Sequence, residues 1–124
     1  MSVYADTLIG GAVGKSGNGL KVKAKLFRGL ADLSRLSILE SLRNGPKNVT
    51  QVVKQTGLSQ PNVSMHLDCL RCCGLVDRRP RGRFVLYSIK AARGVERLLR
   101  AAENILEEVR DRIGECSRYE ERKR

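Results

Sequence analysis

The stretch NVTQVVKQTGLSQPNVSMHLDCLRCCGLV, residues 48–76, decides how this chain is read. Val49, Val52 and Val53 recur on one face, which predicts a short helix from about Asn48 or Thr50 to Thr56. Gly57 ends it by supplying the left-handed conformation that a helix terminus often needs. Ser59 then caps a second helix running to Cys73, with Pro61 in the first turn, where its missing N–H has no intrahelical partner to lose. Gly74 closes that helix. Two helices joined by a short glycine-bearing turn are the parts of a helix-turn-helix, whose second helix enters a DNA major groove amino end first.

The polar residues sit where that geometry requires them. Ser59, Gln60, Asn62 and Ser64 crowd the amino end of the second helix, and Gln and Asn side chains can pair bidentately with adenine. Val63, Leu67 and Leu70 face the other way and hold the helix on its core.

Working outward, Asp32 or Ser34 caps an upstream helix carrying Leu36, Ile38, Leu39 and Leu42, and Asn44-Gly45-Pro46 stops it. Before it, Leu20 to Leu30 form a helix with one apolar stripe of Val22, Leu26, Phe27 and Leu30. Downstream, Leu75-Val76 and Phe84–Ile89 read as two strands joined by the basic, turn-like Arg78-Arg79-Pro80-Arg81-Gly82-Arg83. Arg78, Arg79, Arg81 and Arg83 give the hairpin a charged arm suited to phosphates or a narrow minor groove. A last helix, about Ala91 to Ile113, places Val95, Leu98, Ala102, Ile105, Val109 and Ile113 along the seam expected where one helix packs on another.

The expected fold class is therefore mainly α with a β-hairpin wing, a winged helix-turn-helix in one domain over residues 20–113. A mobile, glycine-rich segment 1–19 precedes it and a tail 114–124 carrying Cys116 follows. The formal net charge of +11 favours a polyanionic partner. No stretch approaches the length of a membrane span or has the form of a secretory signal, so the expected place is the cytoplasm. Neither a Ser/His/Asp set nor a phosphate loop is present, which argues against an enzyme and a small organic substrate.

Three of the four cysteines, Cys69, Cys72 and Cys73, lie within five positions. In a reducing cytosol such crowding points to metal binding or redox chemistry rather than a disulfide framework. Helical spacing presents Cys69 and Cys73 from consecutive turns with His66 one turn earlier, and turns Cys72 about 100° away from Cys73. Thiolates are soft donors and favour Cd(II), Pb(II), Hg(II) or Zn(II) over Mg(II) or Ca(II).

The strings LADLSRLSILESLRNGP and GLSQPNVSMHLDCLRCCGLV, followed by the RGRFVLYSI wing, resemble the ArsR/SmtB family of metal-responsive repressors over roughly Leu26 to Leu106. The resemblance implies a homodimer built on the first and last helices, bound to double-stranded operator DNA when metal-free and released when an inducer binds. The similarity is greatest to the cadmium- and lead-sensing type, whose CLxxC pattern plus a carboxy-terminal cysteine falls on Cys69, Cys73 and Cys116. Cys72 is extra to that pattern and stands as a substitute ligand or redox thiol, while the resemblance puts His66 beside the DNA. The family's third-helix thiolate motif and last-helix histidine site are both absent here. Two rival expectations are a thiol redox switch of the same fold and a basic architectural protein that coats DNA without regulated release.

Overall fold

The computed structural model describes residues 19–119. The expectations for the glycine-rich start and the EERKR end fall on 1–18 and 120–124, outside the described residues. Five helices and one hairpin follow in chain order: α1 Gly19–Leu30, α2 Leu33–Leu42, α3 Val49–Thr56, α4 Gln60–Cys72, β1 Val76–Arg81, β2 Phe84–Ile89 and α5 Ala92–Glu115. A single 3₁₀ turn, Ser117–Tyr119, follows α5.

Local chemistry sets the helix boundaries. Asp32 rather than Ser34 caps α2, its Oδ2 accepting from the Arg35 N–H at 3.0 Å. Asn48 rather than Thr50 opens α3 through a full capping box. Gln51 N–H donates to Asn48 Oδ1 at 2.8 Å, and Asn48 N–H donates back to Gln51 Oε1 at 2.9 Å. A cap of this kind contributes about 1 kcal/mol. Gly57 ends α3 at φ 75°, in the left-handed region that favours glycine. Ser59 caps α4 by accepting from the Asn62 N–H at 3.3 Å.

The core lies where α2, α3, α4 and the hairpin meet. Ile38, Leu39, Leu42, Val52, Val63, Leu67, Leu70, Val76 and Tyr87 are buried there, with Leu30, Val49 and Val53 packed against them. The hairpin is tied to the α2–α3 connection as well. Lys47 and Tyr87 exchange both backbone bonds, Lys47 N–H to Tyr87 O at 3.0 Å and Tyr87 N–H to Lys47 O at 2.8 Å.

The wing departs from the sequence reading. The arginines expected in a loop form most of β1, in the register Val76↔Ile89 through Arg81↔Phe84, and only Gly82-Arg83 turns the chain. Gly82 has φ 60° and no non-glycine residue has positive φ, the arrangement of a two-residue turn with glycine at its first central position. Charge conceals this strand in the sequence, because an extended hairpin tip has no core face to impose apolar alternation.

The outer helices are differently placed. The stripe expected of α1 exists, yet within one chain Val22 is 57% and Phe27 50% exposed. Helix α5 runs two residues beyond the expected Ile113, so Cys116 stands at its carboxyl cap. Only its first turns meet the body, through buried Val95 and Leu99, while Ile105 and Ile113 of the expected seam are exposed. Among the described residues no helix is long and apolar enough to cross a membrane.

Candidate nucleic-acid interface and thiol cluster

Helix α4 is a two-faced element. Val63, Leu67 and Leu70 are essentially inaccessible, which fixes its rotation about its own axis. On a 3.6-residue helix the opposite face carries Pro61, Met65, Asp68 and Cys72. Met65 is 52% exposed, and Asp68 and Cys72 are exposed as well. At the amino end Ser59, Gln60 and Asn62 are exposed and Ser64 is half-buried. The first-turn N–H groups and the positive end of the helix dipole add a pull on anions there.

His66 is half-buried on the flank of α4, and its Nδ1 is buried with no hydrogen-bond partner among the described residues. Met65 and Asp68 escaped the sequence reading, which followed hydrogen-bonding capacity at the helix start. A helical wheel anchored on the Val63–Leu67–Leu70 face would have found both.

The wing arginines divide by strand alternation. Arg79 and Arg81 share a face with Asp77, Leu86 and Ser88, whereas Arg78 lies on the other face opposite Tyr87. All four expected arginines, Arg83 at the turn included, are exposed. Arg79 Nε donates to Asp77 Oδ2 at 3.2 Å while the side chain stays 82% exposed. Asp77 is held below the usual carboxylate range, first by the Arg78 backbone N–H and then by Arg79. Beside this face lies an open cavity of about 520 Å³, lined among others by Pro46, Arg79, Arg81, Ile89 and Lys90.

The thiols of Cys69, Cys72 and Cys73 are all free and exposed, and that of Cys116 is free and half-buried. Cys73 is the carboxyl cap of α4, its N–H donating to Cys69 O at 3.1 Å, so the two residues do stand on consecutive turns. Cys116 belongs to a different element at the far end of α5. Among the described residues of one chain, no group of three or more His, Cys, Asp and Glu side chains is arranged to hold a metal ion. One chain therefore brings together a pair of soft donors and no third.

A residue that the sequence reading did not single out joins α5 to the body. Arg43, just past α2, donates from Nε and Nη2 to the two carboxylate oxygens of Glu96 at 2.9 and 2.7 Å. Its Nη1 reaches Glu40 at 2.9 Å and Glu103 at 2.7 Å. Arg43 holds the Glu96 carboxyl down to about 2, and the three carboxylates push the guanidinium further above its ordinary value, Glu96 most of all. Partners more than fifty residues apart carry no local signal, which is why spacing could not reveal them.

Comparison with known proteins accords with this architecture. Residues 32–78, from the α2 cap into β1, match the model of the bacterial regulatory protein, arsR family. A mercury resistance operon repressor described as probable, from Streptomyces lividans, is 42% identical over 66 residues, which are 53% of each chain, so the match spans about half of that relative. The HTH-type transcriptional regulator Rv0081 of Mycobacterium tuberculosis, itself uncharacterized, is 37% identical over 90 residues, 72% of this chain and 78% of that one. Its crystal structure superposes with a TM-score of 0.66 at 34% identity, covering 76% of this chain and 95% of the other. A homodimeric winged helix-turn-helix DNA-binding domain from Mycobacterium bovis also gives a TM-score of 0.66, at 29% identity over 76% of this chain and 86% of that one. With the fold, the reading helix and the wing matching in order, the chain belongs to the ArsR family of bacterial regulatory proteins.

Proposed function

We propose that this chain is a homodimeric transcriptional repressor, acting in the cytoplasm, that holds double-stranded operator DNA and releases it when a thiophilic metal ion binds its cysteine thiolates. Residues 20–113, extended by the last turn of α5, are the working unit, flanked by 1–19 and by a tail that brings Cys116. On the DNA side, Ser59, Gln60, Asn62, Ser64 and His66 serve the groove-facing helix, and Arg78, Arg79, Arg81 and Arg83 serve the flanking phosphates. The net charge of +11 supports the polyanionic partner.

The observation that carries the sensing half is the pair of exposed sulfurs, Cys69 and Cys73, one turn apart at the carboxyl end of the reading helix. This donor set suits Cd(II), Pb(II), Hg(II) or Zn(II), and a relative named for mercury resistance supports a soft ion as inducer. Because one chain offers two such donors together, Cys116 is assigned to the partner subunit's pair, with Cys72 as the substitute thiol. When bound, the ion supplies a cross-link between thiolates.

What the chain contributes is the lever. Cys69 and Cys73 share a rigid helix with the groove-facing residues, and Val63, Leu67 and Leu70 transmit any tilt of it to the core. Tying the end of α4 to the end of α5 re-aims both reading heads relative to successive grooves. A coupling of about 1–3 kcal/mol, the usual allosteric range, is roughly 5- to 150-fold in DNA affinity. Ligation requires loss of the thiol protons, so metal binding weakens as pH falls.

The test is a metal titration of the reduced dimer, read by thiolate charge-transfer absorption alongside operator binding, with each cysteine changed in turn to Ser. Cys69→Ser and Cys73→Ser should abolish release while the metal-free protein still binds DNA. An operator complex left intact by Cd(II), Pb(II) and Hg(II) alike defeats the metal reading. Three exposed thiols within five positions favour one second reading, a redox switch, which predicts release by peroxide and no response to metal.

A further inference from the structure

The charges of α5 are arranged antisymmetrically about its middle. Arg93, Arg97 and Arg100 lie on the amino side of Ala101-Ala102, and Glu107, Glu108 and Asp111 lie on the carboxyl side. At 100° per residue, Arg97 and Glu108 are about 20° apart around the helix and about 16 Å apart along it, while Arg93 and Asp111 lie in line. Both pairs are centred on the same point, within one residue of Ala102. Arg97, Glu108, Arg93 and Asp111 are exposed, and none takes part in a hydrogen bond or ion pair among the described residues. Glu96 and Glu103, by contrast, are held by Arg43 on the face turned to the body.

Beside these charges runs the uncovered seam. Ile105 is 56% and Ile113 43% exposed, Ala102 is exposed, and Leu98 and Val109 are half-buried. Arg97 and Glu108 both border it on the flank away from the body. A twofold axis perpendicular to two helices runs them antiparallel and keeps each flank on the same side as its copy. A twofold axis along the helices runs them parallel and swaps the flanks. Opposite charges on one flank, equidistant from a centre, therefore complement only an antiparallel second copy. The small residues Ala101 and Ala102 fall at that centre, where two backbones must approach most closely.

We propose that a second copy of this chain covers the α5 seam in antiparallel register, centred near Ala102, with Arg97 facing Glu108 of the partner subunit on both sides of the axis and Arg93 facing the partner subunit's Asp111 outside it. This rests on the homodimer of the proposed function and goes beyond it by naming the residues that decide which chains pair. The hydrophobic seam provides the attraction, and the charges select the direction, register and partner. A related chain with a different charge order on this helix is rejected by like charges on both sides of the axis.

The experiment uses the full-length protein and two charge reversals, Arg97→Glu and Glu108→Arg, each checked for unchanged helix content. Alone, each sets like charges against each other twice per dimer, and the dimer dissociation constant should rise on the order of tenfold or more at low salt, the effect fading in 1 M salt. Mixed in equal amounts, the two variants should form the heterodimer in excess over the statistical half, as counted by native mass spectrometry with one chain isotopically labelled. The double variant should return to the parental constant. A parental dimer indifferent to both reversals, or a mixture that is statistical, overturns the register and leaves the proposed function standing. A parental protein that stays monomeric at every concentration overturns both.

Discussion

Replacing Leu67 by Ala tests whether α4 is oriented as described. The side chain is fully buried among Ile38, Leu39, Val63 and Leu70, with no room for water to take its place. The change deletes three carbons, worth about 2.4 kcal/mol in transfer at about 0.8 kcal/mol each. The void left in a small core brings the cost to roughly 3 kcal/mol, within the 2–5 kcal/mol range of such substitutions. Against a domain stability of about 5–15 kcal/mol this is a large fraction. Met65→Ala is the internal control. It lies two residues away on the same helix at 52% exposure and should stay within about 0.5 kcal/mol. The assay is urea unfolding followed by circular dichroism at one fixed protein concentration, because a dimer's midpoint moves with concentration. Leu67→Ala should lower the midpoint at unchanged slope, and Met65→Ala should leave stability alone while altering operator affinity. Equal destabilisation by the two, or the reverse order, would refute the assignment of the buried and reading faces.

Two further outcomes follow from the electrostatics. Because Arg43 depresses the folded-state acidity of Glu96 to about 2, the stabilisation from this pairing is complete above about pH 4.5 and is lost as pH falls toward 2. Glu96→Gln should therefore be less stable than the parent at neutral pH, with the gap narrowing in that acid window, as read by urea titrations at pH 7, 4 and 2.5. Arg79→Ala and Arg81→Ala should weaken binding to operator and non-operator DNA alike. Each should lower the slope of log affinity against log salt by about 0.9, and a slope unchanged in both variants removes the wing from the phosphates.

Much of the site was legible before any coordinates. Ser59, Gly57 and Gly74 punctuate the chain through backbone preferences that act over three or four residues, so the limits of α4 and the consecutive-turn placement of Cys69 and Cys73 could be written from spacing alone. The capping of α2 and α3 was narrowed only to alternatives, and hydrogen-bond geometry chose Asp32 and Asn48. The strand in the wing was missed because Arg78, Arg79, Pro80 and Arg81 have no apolar alternation, and their extended form depends on pairing with Leu86, Tyr87 and their neighbours.

By itself, then, the amino-acid sequence determined the order of elements, the inward faces of α2–α4 and the presence of a soft-donor pair on the reading helix. These depend on local backbone preference and on the 3.6-residue period, both properties of short segments. Only the tertiary structure decided that Arg43 clasps Glu96 and Glu103, that Met65 shares the outward face of α4, and that Cys116 stands apart from the other sulfurs within one chain. The reason is range. Contacts between residues far apart in the chain are set by how the elements pack, and neither charge nor spacing within a segment records where its neighbour will lie.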